Sequence, residues 1–350
     1  MTSRRRGLTL GKYAPLHKGH QLVIDTALAE MDEVVVIIYD APDVTPVPLP
    51  VRSNWIREIY PAVQVIEAWD GPTEVGDAPE IKLRHEDYIL KRLDVTGITH
   101  FYSSEFYGDH MSRALGARNR LVDPERRQVP VSGTMIRNNP FRHRAYIHPR
   151  VYRDLITNVV FLGAPCTGKT TLASRFAREF RTRWMPEYGR AYWERHQVNR
   201  RLSLDQLVEI AEGHLEREEE LLLSADRYLF TDTNALTTYQ YALHYHGKAS
   251  PRLTELAEKA VSRYDLVFLC DDDILYEDTW DRSGEVDRHI FQKAVQDDLI
   301  QRRISFFTLS GDLESRIYEV KSILKQHGKY TQHSHLNWKG PRTKQHDFTR

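Results

Sequence analysis

The sequence predicts an α/β protein of two domains, each built on a parallel sheet. Short apolar runs alternate with longer stretches of helical periodicity, which is typical of strands joined by crossover helices. The chain has 350 residues, more than one compact domain usually contains. An apolar strand leads into a glycine-containing turn and a helix twice, after residue 7 and after residue 157. We therefore expect domains over residues 1–150 and 156–326, followed by a tail over 327–350.

The first domain opens with a βαβ unit. It consists of the strand Gly7–Lys12, the amphipathic stretch Gly19–Met31 and the continuous apolar run Glu33–Tyr39. The prolines between residues 42 and 50 predict a surface loop after the second strand. Further strands are expected at Val63–Ala68, Ile98–Ser103 and Arg120–Asp123, and helices at Ser53–Tyr60, Ala78–Leu93 and Gly108–Leu115.

The second domain begins with the apolar strand Thr157–Leu162, a glycine-containing turn and the helix Lys169–Phe180. The tail from residue 327 onward is polar and carries five basic and one acidic side chain, so we expect it to be poorly ordered. The other expected elements are a short strand ending at Trp184, strands at Tyr228–Thr231, Leu266–Leu269 and Ser305–Leu309, and helices at Leu204–Leu223, Ala235–His246, Pro251–Arg263, Asp287–Arg303 and Leu313–Gln326.

The composition argues against several classes of protein. Lys plus Arg equals Asp plus Glu at 49 each, so the overall charge indicates neither a nucleic-acid binder nor a membrane-surface protein. Two cysteines cannot build a disulfide framework, and no apolar run reaches the ~18 residues of a membrane span. The first residues contain no signal-peptide core. We therefore expect a soluble, cytoplasmic protein with neither a nucleic-acid nor a membrane partner.

A phosphate-binding motif lies between the first strand and helix of the second domain. The segment Gly163-Ala-Pro-Cys-Thr-Gly-Lys-Thr170 matches G-x-x-x-x-G-K-[ST] in this context. Its backbone N–H groups would surround nucleotide phosphates, Lys169 would contact the β/γ oxygens, and the Thr170 hydroxyl would bind Mg²⁺. The alternative is an ordinary glycine turn. Residues expected to contact ATP here are Gly163, Cys166, Thr167, Gly168, Thr170 and Thr171.

Two carboxylates follow strands that end on the same side as this motif. Asp232 ends an apolar strand and could bind Mg²⁺ together with Thr170; the alternative is a helix N-cap. Glu187 follows the strand ending at Trp184 and could orient a substrate hydroxyl as general base. Its alternative is a first-turn glutamate stabilised by the helix dipole.

The first domain carries two histidines at the start of a helix. His17-Lys-Gly-His20 follows a strand that turns through glycine and proline. As imidazolium ions the two rings would place paired cations at a helix N-terminus, beside free backbone N–H groups. Such a site suits the charge that develops on an α-phosphate and its leaving pyrophosphate.

A second phosphate-binding pattern lies near the end of the first domain. Val131-Ser-Gly-Thr-Met-Ile-Arg137 places two hydroxyls where a helix begins and an arginine one turn later. Ser132 and Thr134 can cap the helix and bind phosphate, and Arg137 can bind β/γ-phosphates in a bidentate manner. The alternative is a plain N-cap with a surface arginine, which the upstream histidine pair disfavours.

Together these segments resemble the NadR-type bifunctional family, which joins a nicotinamide-nucleotide adenylyltransferase to a ribosylnicotinamide kinase. The resemblance covers residues 7–326 and implies an N-terminal Rossmann-like nucleotidylyltransferase domain and a C-terminal P-loop kinase domain. It rests on Gly11-Lys-Tyr-Ala-Pro-Leu-His-Lys-Gly-His20, Ser104-Glu-Phe-Tyr-Gly108, Val131–Arg137, the P-loop and Pro186-Glu-Tyr-Gly-Arg190.

The resemblance also implies roles for individual residues. Trp55 would stack on the nicotinamide ring, with a core aromatic as the alternative. Trp280 and Asp281 would enclose nicotinamide riboside, and Arg282 and Arg288 would be lid arginines, with solvated surface charges as the alternative. In the first domain, ATP would contact Gly11, Lys12, Tyr13, His17, His20, Ser132, Thr134 and Arg137, and the mononucleotide Arg52, Trp55, Ser104, Glu105 and Tyr107.

The implied function is NAD biosynthesis in two steps that use ATP and Mg²⁺. The second domain would phosphorylate nicotinamide riboside, and the first would adenylylate the resulting mononucleotide and release pyrophosphate. One alternative is the same pair of reactions on the coenzyme A or flavin pathway. Another is a nucleotide-sensing regulator that acts through a protein partner. The first strand starts within ten residues of Met1, so we expect no DNA-binding module; assembly into a homo-oligomer is left open.

Overall fold

The structure, a computed structural model, describes residues 4–74, 76–93, 95–105, 107–197, 202–275, 285–330 and 345–346. Its chain divides into two compact units, Met1–Asp154 and Leu155–Arg350. No helix in these described ranges is both long and apolar enough to cross a membrane. The expected α/β architecture with two parallel sheets is confirmed.

The first unit is a five-stranded parallel sheet in the order β3-β2-β1-β4-β5. Its strands are β1 Arg6–Gly11, β2 Glu33–Tyr39, β3 Gln64–Ala68, β4 His100–Ser103 and β5 Arg118–Leu121. Its helices are α1 Lys18–Glu30, α2 Leu49–Ile59, α3 Pro79–Asp87, α4 Gly108–Ala114, α5 Gly133–Asn138 and α6 Pro149–Leu155, with a π-helical turn Tyr88–Arg92 and a 3₁₀ turn Arg144–Tyr146. The strand order reverses at β1, which is where parallel sheets of this kind bind ligands.

Burial on both faces explains the apolar strands of this sheet. All residues of β2 after Glu33 are buried, as expected for a central parallel strand rich in Val and Ile. The sequence-based start of the next helix is wrong: α2 begins at Leu49 and not at Ser53. Pro48 is the N-cap and Pro50 lies in the first turn, so these two prolines open the helix and do not belong to the predicted loop.

The second unit is a six-stranded sheet in the order β11-β10-β9-β6-β8-β7, parallel except for β11. Its strands are β6 Thr157–Leu162, β7 Arg183–Met185, β8 Tyr228–Asp232, β9 Leu266–Cys270, β10 Phe306–Leu309 and β11 Gln345–His346. Its helices are α7 Lys169–Glu179, α8 Tyr188–His196, α9 Leu204–Leu222, α10 Ala235–His246, α11 Pro251–Ala260, α12 Glu285–Gln301 and α13 Leu313–Gln326. The strand order reverses at β6, whose carboxyl end carries the predicted phosphate motif.

Aromatic packing anchors β6 at the centre of this sheet. Phe161 stacks with Phe268 of β9 at a centroid distance of 5.4 Å and with Phe176 of α7 at 6.2 Å. Phe230 of β8 packs on Phe176 at 5.6 Å. These buried rings fix α7 against the sheet, so the N-terminus of α7 is held at the strand ends. The short helix α8 and the strand β11 were not predicted.

Candidate phosphate-binding sites

The predicted P-loop connects β6 to α7 through two glycines in unusual backbone conformations. Gly163 has φ +134° and Gly168 has φ +83°, values that residues with a side chain rarely adopt. A Cβ atom on Gly163 would lie 2.5 Å from the carbonyl oxygen of Cys270. The backbone of this loop therefore requires glycine at both positions.

The lysine of the motif points back into the loop. Lys169 is buried, and its ammonium donates a hydrogen bond to the Ala164 carbonyl oxygen at 2.6 Å. Thr167 Oγ1 donates to the same oxygen at 2.9 Å. A fixed positive charge thus lies inside a loop at a helix N-terminus, which is the arrangement that binds phosphate.

Two buried side chains, Gln292 and Arg316, form hydrogen bonds with the backbone of the P-loop. The sequence did not predict either of them. Gln292 of α12 accepts a hydrogen bond from the Ala164 N–H at 2.7 Å and donates to the Cys270 carbonyl oxygen at 3.0 Å. Arg316 of α13 donates to the Thr167 carbonyl oxygen at 2.7 Å. These residues lie 128 and 149 positions from their partners in the loop, and no motif marks them.

The predicted lid residues have different outcomes. Arg288 is buried and donates hydrogen bonds to the carbonyl oxygens of Ile274 at 3.1 Å and Cys166 at 3.3 Å, so the alternative of a solvated surface charge is wrong. Its contact with Cys166 places it beside the P-loop. The predictions for Trp280, Asp281 and Arg282 concern residues outside those that the structure describes.

The structure brings the two predicted metal ligands together. Thr170 Oγ1 donates a hydrogen bond of 2.5 Å to Asp232 Oδ2. Asp232 is completely buried, and its other oxygen, Oδ1, has no hydrogen-bond partner within the described part of the chain. Burial, together with the negative charge of Glu187, raises the pKa of Asp232 to about 6, against the opposing effect of Lys169. The alternative of a helix cap is wrong, because Asn234 caps α10.

Glu187 stands at the entrance to α8 and lines a cavity shared with the P-loop. It is the N-cap residue of α8, but its side chain makes no capping hydrogen bond. The cavity has a volume of about 570 Å³. Motif residues in its wall are Cys166, Thr167, Gly168, Lys169, Thr170 and Thr171, and facing residues include Glu187, Arg190, Trp193, His214, Tyr241 and Tyr245.

In the first unit, His17 and His20 form a reciprocal cap at the start of α1. His17 Nδ1 accepts a hydrogen bond from the Gly19 N–H at 3.1 Å, and His20 Nδ1 accepts one from the His17 N–H at 3.4 Å. The two rings stack at a centroid distance of 3.7 Å. Because Nδ1 is an acceptor in each ring, a neutral ring carries its proton on Nε2. Each histidine therefore retains an Nε2–H donor for a ligand.

The expectation that the histidines are imidazolium ions is wrong. Burial, followed by the charges of Arg126 and Arg137, lowers the pKa of His17 to about 4. Burial also lowers the pKa of His20 well below its usual value, with further contributions from His17 and Arg126. Both rings are therefore neutral near pH 7. They offer hydrogen-bond donors to phosphate, and the positive charge comes from arginine.

The second pattern of the first unit meets the turn after β1. Ser132 is the N-cap of α5 and accepts a hydrogen bond from the Met135 N–H at 3.2 Å. Arg137 donates to the Ala14 carbonyl oxygen at 2.7 Å and to Thr134 Oγ1 at 3.0 Å. Ala14 belongs to the turn that leads to His17, so segments more than a hundred residues apart come together here.

The other predicted ATP contacts surround the carboxyl end of β1. Gly11 is the last residue of this strand. Lys12 Nζ donates to the Thr73 carbonyl oxygen at 3.4 Å. Tyr13 is buried, and its ring lies 4.8 Å from that of His20. All three therefore lie at the same edge of the sheet as the histidine pair, the edge formed by the carboxyl ends of the strands.

Arg52 and Trp55 are fully buried, which favours the alternative of a core aromatic for Trp55. Arg52 donates hydrogen bonds to the carbonyl oxygens of Val47 at 2.9 Å and Tyr39 at 3.0 Å. Trp55 Nε1 donates to Asp154 Oδ2 at 2.8 Å. With no exposed surface, the indole of Trp55 is a core aromatic in this conformation, so ring stacking on a ligand has no support here.

The segment after β4 reaches the same edge of the sheet. Ser104 and Glu105 follow the strand and are half-buried. Glu105 Oε1 accepts a hydrogen bond from Arg126 at 3.0 Å, and the Tyr107 hydroxyl donates to the Leu10 carbonyl oxygen at 3.4 Å. Tyr107 therefore lies against β1, and the segment lies at the carboxyl edge of the sheet.

Each unit thus carries a candidate phosphate site where the order of its parallel strands reverses. The first site joins a histidine pair to a serine, a threonine and an arginine, which is the pattern of a nucleotidyltransferase domain. The second joins a P-loop to an acidic residue on the neighbouring strand, which is the pattern of a P-loop nucleotide-binding domain. The chain therefore combines these two classes of domain.

Comparison with known families and proteins supports the same division. Residues 8–139 match the cytidylyltransferase-like family, and residues 158–316 match the AAA domain family. The chain is 27% identical to the trifunctional NAD biosynthesis/regulator protein NadR of Escherichia coli (strain K12), over 91% of this chain and 82% of that protein. NadR of Salmonella typhimurium (strain LT2) matches with the same identity and coverage. The chain is therefore a homologue of the NadR proteins.

Solved NadR structures share the fold. A crystal structure of NadR in complex with NAD and AMP-PNP superimposes with a TM-score of 0.54 at 22% identity, covering 92% of this chain and 96% of that chain. A crystal structure of NadR in complex with NR gives 0.52 at 23% identity, covering 93% and 96%. The resemblance drawn from the motifs is thereby confirmed at the level of the fold.

Proposed function

We propose that the chain makes NAD in two ATP-dependent steps. The second unit phosphorylates nicotinamide riboside, and the first unit transfers the adenylyl group of ATP to the resulting mononucleotide. The observation that carries this proposal is that residues suited to bind phosphate lie at the strand-order reversal of each sheet. The names of its homologues, which refer to NAD biosynthesis, support the choice of pathway over coenzyme A or flavin.

In the phosphorylation step, Lys169 and the P-loop N–H groups neutralise the charge of the transferred phosphoryl group. Glu187 orients the 5′-hydroxyl of the riboside and accepts its proton. The oxygen of this hydroxyl then forms a bond to the γ-phosphorus, and the bond from that phosphorus to the β-phosphate bridging oxygen breaks. The electron pair leaves with ADP.

Magnesium fits the residues of this site. Thr170 and Asp232 offer hard oxygen ligands, and the buried Asp232 Oδ1 has no hydrogen-bond partner in the part of the chain that is described. Mg²⁺ usually binds one or two carboxylates together with substrate phosphates, so these two residues suffice on the protein side. When bound, the ion would offset negative charge on the β- and γ-phosphates.

The cavity beside the P-loop suits a riboside with a flat ring. Its volume of about 570 Å³ lies in the usual range for small-molecule sites. Trp193, Tyr241 and Tyr245 contribute aromatic side chains to its wall. Aromatic faces attract cations, and nicotinamide riboside carries a positive ring, which supports it as the acceptor. A NadR structure in complex with NR supports the same choice.

In the adenylyl transfer step, a phosphate oxygen of the mononucleotide attacks the α-phosphorus of ATP. The bond from that phosphorus to the bridging oxygen breaks, and pyrophosphate leaves with the electron pair. The Nε2–H groups of His17 and His20 donate hydrogen bonds to the α-phosphate, where negative charge grows. Ser132, Thr134 and Arg137 bind the β- and γ-phosphates. No covalent enzyme intermediate is involved.

The proposal is tested by supplying each acceptor separately. The purified protein is incubated with Mg-ATP and either nicotinamide riboside or its mononucleotide, and the products are separated by chromatography. We expect mononucleotide and ADP from the first mixture, and NAD and pyrophosphate from the second. If neither acceptor is consumed while riboflavin or a pantetheine phosphate is, the assignment to NAD is wrong. If ATP binds but no acceptor reacts, the protein acts as a nucleotide sensor and the proposal fails.

A further inference from the structure

One arginine near the histidine pair belongs to none of the sequence motifs. Arg126 lies in the segment between β5 and α5, and its guanidinium forms an ion pair with Glu105 at 3.0 Å. Glu105 follows β4, so the pair joins the carboxyl ends of the two strands beyond β1 in the sheet order. The same carboxyl edge of the sheet includes the end of β1, where the strand order reverses and a ligand is expected.

The carboxylate of Asp123 holds the backbone of the segment that carries Arg126. Asp123 accepts hydrogen bonds from the N–H groups of Arg127 at 2.8 Å and Val129 at 3.0 Å, and from Gln128 at 3.1 Å. Arg126 itself has φ +52°, in the left-handed region that non-glycine residues seldom occupy. The loop therefore fixes the backbone of Arg126 in an unfavourable conformation, which is common at functional positions.

The charge of Arg126 reaches both histidines. It contributes to the lowered pKa of His17 and of His20, and Arg137 contributes to that of His17. Arg137 contacts the Ala14 carbonyl oxygen in the turn that leads to His17, and Arg126 lies at the carboxyl ends of β4 and β5 through its pair with Glu105. Both guanidinium groups therefore lie at the same carboxyl edge of the sheet as the two rings and their N–H donors. Such a cluster of donors and positive charge is complementary to an anion.

We propose that Arg126 binds the triphosphate of ATP and stabilises the departing pyrophosphate, together with Arg137. This inference rests on the proposed adenylyl transfer and deepens it by adding one residue, Arg126, to those that bind the phosphates of ATP. As the bond to the bridging oxygen breaks, negative charge accumulates on pyrophosphate, and a second guanidinium offsets it. Arg126 exchanges Glu105 for phosphate on binding.

Breaking the ion pair between Arg126 and Glu105 is expected to cost little free energy. The side chains of Arg126 and Glu105 are 45% and 42% exposed, and ion pairs with this exposure contribute little to stability. A triphosphate carries more negative charge than one carboxylate and accepts bidentate hydrogen bonds from arginine. Binding of ATP is therefore expected to displace Glu105 from Arg126.

The test compares Arg126→Gln with Arg127→Gln. Arg127 lies in the same loop with its side chain 82% exposed and paired with Glu125, so it is a matched control. Adenylyl transfer is measured with ATP and mononucleotide varied separately, and in reverse with pyrophosphate varied. We expect Arg126→Gln to raise KM for ATP and for pyrophosphate roughly 10- to 100-fold and to leave KM for the mononucleotide unchanged. Arg127→Gln is expected to match the parent protein.

Two further variants separate phosphate binding from a structural role. Arg126→Lys keeps the charge and is expected to recover part of the ATP affinity. Glu105→Gln breaks the same ion pair but leaves Arg126 available, so KM for ATP should not rise, whatever the change in KM for the mononucleotide that Glu105 is expected to contact. Equal increases of that KM in Arg126→Gln and Glu105→Gln would mean that the ion pair only holds the loop, and would overturn the proposal. So would an Arg126→Gln variant with the KM values of the parent.

A binding measurement distinguishes failure of this inference from failure of the proposed function. If the parent protein makes no NAD, adenylyl transfer is wrong, but binding of ATP by calorimetry still tests Arg126. Lys169→Ala serves as the background, because it weakens the ATP site of the second unit. In this background we expect Arg126→Gln to weaken the remaining ATP site roughly 10- to 100-fold. Unchanged binding would overturn the role of Arg126.

Discussion

The candidate phosphate sites of the two units differ in the source of their positive charge. In the second unit, Lys169 supplies an ammonium group that is buried within the P-loop. In the first unit, His17 and His20 are neutral near pH 7, and Arg137 supplies charge from a distant segment. The P-loop thus keeps its cation in the motif itself, whereas the histidine motif supplies directional N–H donors.

The sites also differ in their acidic groups. The second site places Asp232 beside Thr170, with a pKa raised to about 6 and an oxygen that suits a metal ion. Glu105, a carboxylate near the first site, is paired with Arg126. Metal binding by the protein is therefore expected to matter more in phosphorylation than in adenylyl transfer. The difference leads to substitutions and conditions that affect one reaction and spare the other.

The largest expected effect is that of Lys169→Ala on phosphorylation. Removing the buried cation should lower kcat/KM for the riboside on the order of 10³-fold, the scale of losing a charge that stabilises a phosphoryl-transfer transition state. Adenylyl transfer by the same variant should be unchanged. Steady-state assays of both reactions check this, with Lys248→Ala, an exposed lysine of the same unit, as control. Loss of both reactions in a folded Lys169→Ala protein would contradict independent sites.

His20→Ala is the reciprocal change in the first unit. It removes an N–H donor to the α-phosphate and should lower kcat/KM for the mononucleotide about 10²-fold, while phosphorylation is spared. His20→Gln tests the neutral state, because a glutamine amide also donates a hydrogen bond but cannot carry a charge. We expect His20→Gln to retain more activity than His20→Ala. Equal losses of activity in His20→Gln and His20→Ala would favour an imidazolium at this position. His143→Ala, which removes a histidine outside the motif, is the control and should keep the activity of the parent protein.

Motifs with strict local spacing were predictable from the sequence. Gly163 to Thr170 and His17 to His20 depend on a strand, a turn and a helix that are contiguous in the chain, so pattern and context identified them together. Side chains that support these motifs from elsewhere were not predictable. Gln292 and Arg316 reach the P-loop only because α12 and α13 pack beside it.

Burial explains one error in the predicted chemistry and one point that the sequence left open. The sequence shows two histidines at a helix start but not that both are enclosed, so their charge was predicted wrongly. Trp55 lies on an amphipathic helix whose buried side the sequence did not identify. In both cases the residue type indicated a possible contact with a ligand, but the sequence did not show how much of the side chain is exposed to solvent.

The pH dependence of the two reactions should separate below about pH 6. Ionised Asp232 is the form that binds Mg²⁺, and its pKa of about 6 means that acid protonates it. Phosphorylation kcat/KM should fall about tenfold per pH unit below that value. The pKa of His17 is about 4, so protonation of this ring does not affect adenylyl transfer over the same interval. The second ionisation of the mononucleotide phosphate also lies at about pH 6, so the adenylyl-transfer profile is first corrected for it. Parallel profiles from about pH 5 to about pH 8 after this correction would contradict the assignment.

The smallest expected effect on activity is that of Trp55→Phe. This change removes the hydrogen bond to Asp154 and leaves a small cavity, so it should lower the free energy of unfolding by about 2 kcal/mol. Because the indole is fully buried, KM for the mononucleotide should stay within about twofold of the parent value. Urea unfolding and steady-state kinetics provide the two measurements. Trp69→Phe, in an indole 57% exposed, is the control and should change stability by less than about 0.5 kcal/mol. A large rise in KM with unchanged stability would instead mean that Trp55 turns out of the core to stack on the nicotinamide ring.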